Sequence, residues 1–203
     1  MNLITITDPV SPAAEAYRTL RANLHFASLE APLKTLVITA PGVVEDAALV
    51  AANLAVTLAQ SEKQVILVDA DLRQPVLHTL FGLNNTAGLT TVLGTGTPDL
   101  PLQATAVPGL RLLASGPTPQ VPSDVVSSPR MTQLIQQLSD QADFVVFSTP
   151  PIALVSDAAM LASRVDGAML VIRAGKTQRE QALQAKETLA RAKVRLLGAV
   201  MLK

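Results

Sequence analysis

Residues Lys34–Leu49 read KTLVITAPGVVEDAAL, and the fold turns on how that stretch is parsed. Lys34–Ala40 is a short, almost purely aliphatic and β-branched run, which predicts a strand buried on both faces. Asp46–Gln60 (DAALVAANLAVTLAQ) is rich in Ala and Leu and predicts a helix. Gln64–Asp69 (QVILVD) then predicts a second strand. Strand, loop, helix, strand is the unit of a parallel sheet.

Working outward, the alternation persists. Ser11-Pro12 has the form of an N-cap followed by proline at the first helical position, and the helix is expected to run to about Ser28. Pro75–Phe81 is expected to be a short helix. Gly82–Pro108 is expected to be mostly loop, with one helical turn near Leu89–Leu93. Leu110–Ala114 reads as a strand, Gly116–Pro122 as a proline-rich linker and Pro129–Asp140 as a helix. The last third repeats the pattern: strand Asp143–Ser148, helix Ser156–Ser163, strand Gly167–Arg173, helix Thr177–Ala192 and strand Leu196–Leu202. Leu183 and Leu189 are assigned to the core. The expectation is one α/β domain over residues 1–203, mainly parallel, with helices on both faces. In such sheets ligands bind at the carboxyl ends of the strands. That directs attention to Thr39–Leu49, Asp69–Pro75 and Ser148–Pro151.

Composition narrows the function. The 203 residues are 49% hydrophobic and only 2% aromatic, so the core is aliphatic. Sixteen basic residues balance 16 acidic ones. That balance gives no argument for a nucleic-acid partner. With no cysteine there is no disulfide and no thiolate metal site. The first residues lack the pattern of a secretory signal, and no run has the length of a membrane span. A cytoplasmic protein is expected, with any membrane contact made at the inner face through a partner.

Several of these segments, in order, resemble the bacterial tyrosine kinases (BY-kinases) of capsule and exopolysaccharide pathways, the CpsD/CapB-like family. That family sits in the deviant-Walker branch of P-loop ATPases, with MinD and ParA. The resemblance is carried by Ser11–Leu24 (SPAAEAYRTLRANL), Lys34–Pro41, Ala51–Ala55 and Ile66–Leu83 (ILVDADLRQPVLHTLFGL). It continues through Ser115–Pro119, Ser127–Met131, Thr149–Ile152 (TPPI) and Val165–Thr177 (VDGAMLVIRAGKT). It implies a three-layer P-loop NTPase-like fold and an ATP- and Mg²⁺-dependent activity toward protein tyrosine.

The phosphate loop departs from the family pattern. There it runs Pro-Gly-x-Gly-Glu-Gly-Lys-Ser-Thr: the backbone closes around phosphates, Lys neutralises charge and a hydroxyl holds Mg²⁺. Here Pro41, Gly42, Val43, Val44, Glu45, Asp46, Ala47, Ala48 and Leu49 occupy the stretch. Val44 and Asp46 stand for glycines, Ala47 for the lysine, and Ala48 and Leu49 for the hydroxyl pair. Asp46, at the start of the helix, is expected to cap it and to repel ATP. The family's second strand motif ends in Asp-Thr-Pro-Pro, and Ser148 stands for that Asp. Leu202 stands near the position of an adenine-contacting Asn. Asp69 and Asp71, in Asp69-Ala70-Asp71-Leu72-Arg73, match the family's remaining acidic motif, where the first is base or orienter and the second assists Mg²⁺. Their structural reading is a cap of the next turn by Asp69 and an Asp71–Arg73 pair.

The implied function is a catalytically degenerate kinase, with no catalytic residue, metal or cofactor expected. It would scaffold or regulate polysaccharide export, alone as a homo-oligomer, with an active relative or on a membrane adaptor. The alternatives are an active tyrosine kinase, with ATP and Mg²⁺, and a self-assembling ring or filament. Glu15, Arg18 and Arg21 lie along one helical side. They support a Glu15–Arg18 pair within the helix, and the resemblance makes them an oligomerisation series. Tyr17 is the one tyrosine. His25 and His78 have no nearby ligand set. Asp157 and Asp166 are expected to cap a helix and a turn, and Lys176 and Arg179 to be solvated.

Overall fold

The computed structural model describes residues 3–43, 46–96 and 99–203. In chain order the elements are α1 (Ile4–Thr7), α2 (Pro12–Glu30), β1 (Thr35–Thr39), α3 (Ala47–Ala59), β2 (Val65–Asp69), α4 (Leu77–Phe81), α5 (Leu89–Thr95), β3 (Gln103–Ala104), β4 (Leu110–Leu113), α6 (Pro122–Ser127), α7 (Pro129–Ser139), β5 (Phe144–Ser148), α8 (Asp157–Ala162), β6 (Gly167–Arg173), α9 (Arg179–Arg191) and β7 (Leu196–Leu202). The strands form one sheet in the order β3-β4-β2-β5-β1-β6-β7. Every pairing is parallel except β3 with β4.

The period-2 alternation of a strand sends neighbouring side chains to opposite faces. Leu36 and Ile38 of β1 enter one core with Leu24, α3, Leu77 and Phe81. Val37 enters the other, with Val92 of α5, Met131 and Leu134 of α7, Leu161 of α8 and Leu189 of α9. Two cores separated by one sheet make three layers, the P-loop NTPase-like arrangement expected from the sequence. α3 is buried from Val50 through Ala59, because the sheet covers one side and α1 and α2 the other. Asn53 fastens α1 to it: its Oδ1 accepts from the Thr5 amide (3.1 Å) and hydroxyl (2.9 Å). Arg195 donates to Ala27 O (2.8 Å) and Ala31 O (3.2 Å) and so satisfies carbonyls at the end of α2.

Four features depart from expectation, the first being α1, which the sequence reading did not foresee. The segment read as a linker up to Pro122 gives way directly to α6, with Pro122 at its first position. Arg164 closes that helix by donating to the carbonyls of Val126, Ser127 and Ser128. The Gly82–Pro108 loop contains the longer helix α5 and the two-residue strand β3. At Gly88, which leads into α5, a Cβ would lie 2.0 Å from the Ala114 carbonyl oxygen, so only glycine fits. Leu183 is not core: it is 47% exposed, on the outer side of α9, while Leu189 is fully buried. Among the described residues, no helix is long and apolar enough to cross a membrane.

Candidate phosphate-loop site

The strands β2, β5, β1 and β6 end side by side, and their carboxyl ends carry Asp69, Ser148, Thr39 and Arg173. The sequence reading brought three of the four segments to this edge and left Arg173 out. β1 leads into Pro41-Gly42, and α3 begins at Ala47. Val44 and Glu45, two of the predicted loop residues, lie outside the described residues. The Thr-Pro-Pro turn is laced to the entry of the loop. Thr149 N–H donates to Ile38 O (3.1 Å) and Ile152 N–H to Ala40 O (2.9 Å). Thr39 Oγ1 donates to Pro150 O (3.0 Å). The turn therefore holds position through backbone contacts that do not involve the side chain of Ser148.

Asp46 does not cap α3 as expected. Its side chain makes no hydrogen bond to the helix; its Oδ2 accepts from Arg173 Nη2 instead. The reason is the strand order: β6 lies beside β1, with Leu170 level with Thr39. A guanidinium at the end of β6 thus stands within reach of the residue before α3, and an opposite charge outcompetes a neutral amide for the carboxylate. Ala47 and Ala48 follow, with neither an ammonium nor a hydroxyl to offer.

Tyr17 of α2 is half-buried nearby. Burial first, and the Asp46 charge second, push its phenol up to about 12. With no tryptophan and one tyrosine, that titration is directly visible. The tyrosinate absorbance should have its midpoint near 12 in the folded protein, and Asp46→Asn should lower it. A midpoint near 10 in native buffer would remove Tyr17 from this environment.

On the other side, Asp69 is 1% exposed. Its Oδ2 accepts from Val76 N–H (3.1 Å) and Leu77 N–H (2.9 Å), the expected cap of the following turn and helix α4. Its Oδ1 is enclosed and without a partner. Burial pushes this carboxyl up to about 7; the Asp71 charge adds to the rise, and the backbone donors oppose it. Asp71 Oδ1 accepts from the Arg73 and Gln74 amides (3.1 and 3.0 Å), an Asx turn. The expected Asp71–Arg73 side-chain pair is absent, since Arg73 Nε donates to Asp157 Oδ2 at 3.2 Å. Asp157 accordingly does not cap α8; it is a buried ion-pair partner. Asp166 does tie down a chain segment: its Oδ2 accepts from the Lys34 and Thr35 amides, both at 2.8 Å, and from Thr35 Oγ1. Among the described residues, no group of three or more His, Asp or Glu side chains is placed to hold a metal.

The α2 series is split. Arg18 pairs with Glu15 as expected and also donates to Pro9 O. Arg21 turns inward and donates to Thr57 O of α3 (2.8 Å). A groove of about 480 Å³ beside it, lined by Arg21, His25, Lys63 and Phe144 among others, lies at the amino end of the sheet, opposite the phosphate loop. Sequence reasoning missed Arg173 as a site residue and gave Asp157 a different role, that of a helix cap. No local spacing encodes either pairing, since their partners lie 127 and 84 positions away.

No family model matches the chain. Individual proteins do. The tyrosine-protein kinase YwqD of Bacillus subtilis is 46% identical over 201 residues, covering 98% of this chain and 85% of that protein. The kinase domain of Escherichia coli tyrosine kinase ETK superposes with a TM-score of 0.94 at 33% identity, over all of this chain and 80% of that domain. The cell-division ATPase MinD of Pyrococcus furiosus shares the fold alone, with a TM-score of 0.71 at 23% identity over 83% of this chain and 71% of MinD. Near-complete coverage at the identity shared with YwqD, on a three-layer sheet of this order, places this chain in the family of bacterial tyrosine-protein kinases.

Proposed function

We propose that this member is a pseudokinase: a kinase-like domain that does not bind Mg-ATP in the usual way and acts as a scaffold or regulator. The observation that carries the reading is the occupant of the loop. Where a phosphate would sit against the start of α3, Asp46 is paired with Arg173, and Ala47 and Ala48 supply neither charge nor metal ligand. A carboxylate there opposes a polyphosphate, by less than the roughly 4 kcal/mol of two bare unit charges about 4 Å apart at an effective dielectric near 20, because solvent and Arg173 screen it. The setting is capsule or exopolysaccharide biosynthesis, as the family resemblance implies. The domain would act at the inner face of the membrane, through an adaptor, a second copy or an active relative. Self-association through α2 would have to reuse Arg18 and Arg21, which already have partners within the chain.

One feature favours the alternative of an active tyrosine kinase. Asp69 is kept and buried, and it is poised near neutrality, as a general base needs to be. Thermal melts with and without millimolar Mg-ATP separate the two. A ligand at a hundredfold excess over its Kd adds about 2.7 kcal/mol to the folded state. The expected result is an unchanged midpoint, with no heat of binding by titration calorimetry. A clear upward shift would return the protein to the active kinases.

A further inference from the structure

Arg173 has no part in the family's phosphate-binding pattern, yet its guanidinium is paired with Asp46, the residue before α3. It is the last residue of β6, and its backbone is fixed. Its N–H donates to Thr177 Oγ1 (2.7 Å), and its carbonyl accepts from the Lys176 and Thr177 amides. From that mount the guanidinium reaches Asp46, beside the start of α3. A guanidinium recognises carboxylate and phosphate through the same fork of N–H donors. The fork is only part used: Arg173 Nε is enclosed and has no hydrogen-bond partner, and a buried donor left idle is uncommon. Asp46 is the loose partner. Its side chain is 58% exposed, it makes no bond to the helix, and ion pairs this open contribute little.

We infer that Arg173 is a substitute phosphate cation, with the Asp46 carboxylate lodged on it as a displaceable internal mimic of the ligand. The ligand class is a di- or triphosphate chain, free or as part of a nucleotide. The inference rests on the pseudokinase reading of the loop and adds to it a latent site that one side chain keeps shut.

Calorimetric titration with magnesium-free pyrophosphate tests this on the wild type, Asp46→Asn, Arg173→Met and the double variant. Asp46→Asn should bind pyrophosphate at least about tenfold more tightly than the wild type, since one repelling charge is gone. Adding Arg173→Met should abolish the gain. If Arg173→Met does not fold, Arg173→Lys serves, and should lose most of the gain because an ammonium lacks the fork. No gain in Asp46→Asn overturns the inference, and so does a gain that survives the loss of Arg173. ATP should gain by the same factor as pyrophosphate. A gain for ATP alone would place the contact on base or ribose and overturn the phosphate assignment. Tight Mg-ATP binding by the wild type would sink the pseudokinase reading by itself, leaving the difference between Asp46→Asn and wild type to decide the role of Arg173.

Discussion

Asp69→Asn should flatten the stability profile between pH 4 and pH 7 and make the protein more stable above pH 7. The carboxyl sits near 7 in the folded protein against an ordinary value of 3.8. Between those values the folded state keeps a proton that the unfolded state releases. Raising the pH therefore favours unfolding, by about 1.4 kcal/mol per pH unit. The contribution is fully present below pH 4 and is lost by pH 7, a total on the order of 4 kcal/mol. Asparagine does not titrate. Its oxygen can still accept from Val76 and Leu77 N–H, while its NH₂ replaces the enclosed, unpartnered Oδ1. That unsatisfied donor costs roughly 1–3 kcal/mol, so the variant should be the weaker protein at pH 4, where the wild type still keeps most of the contribution. Above pH 7 it should gain about 2 kcal/mol, the difference between these two costs. Urea melts at pH 4 and pH 8 read both signs. Parallel profiles for the two proteins would show that Asp69 is ionised throughout.

The second large effect is expected from rebuilding the loop. Val44→Gly, Asp46→Gly, Ala47→Lys, Ala48→Ser and Ser148→Asp together should confer measurable Mg-ATP affinity. The cost is local. Ser148 is the register partner of Asp69, and strands in a sheet lie about 4.8 Å apart. An aspartate at position 148, itself 2% exposed today, would face a second buried carboxyl with no cation between them. The metal-free variant should lose on the order of 3 kcal/mol. Mg-ATP should restore a large part of it, which the wild type will not show. A folded variant that gains no affinity would refute the idea that these five positions are what closes the loop to ATP.

Much of the fold was legible in the residues. The strands of the sheet core are continuous aliphatic runs, and their alternation with helices left one architecture. The Asp69 cap follows from a local rule about strand ends, and the Thr-Pro-Pro turn was legible through the family resemblance. What was not legible lies in pairings across the chain. Asp46 reads as an N-cap by position, but strand order delivers Arg173 to it, and no local pattern encodes that meeting. Arg73 reads as a partner for Asp71 two residues away, yet Asp157, buried and in need of a cation, takes it. α6 was hidden because a proline opens it and a proline-rich stretch precedes it. Leu183 failed for another reason: α9 is covered over only part of its circumference, and a leucine just outside that contact has the same letter as one inside it.

The place of β1 in the sheet bears on how the protein is made. Both of its hydrogen-bonded neighbours, β5 and β6, come from the last third of the chain, and Asp166, which ties down the amides that open β1, does too. During synthesis this interior strand and the buried helix α3 therefore leave the ribosome about a hundred residues before either flank exists. At 5–20 residues per second, that is roughly 5–20 s of exposed aliphatic surface. Contacts this distant in sequence close slowly. The nascent chain must pass that interval shielded, and a product that stops short of β5 leaves both edges of the strand bare.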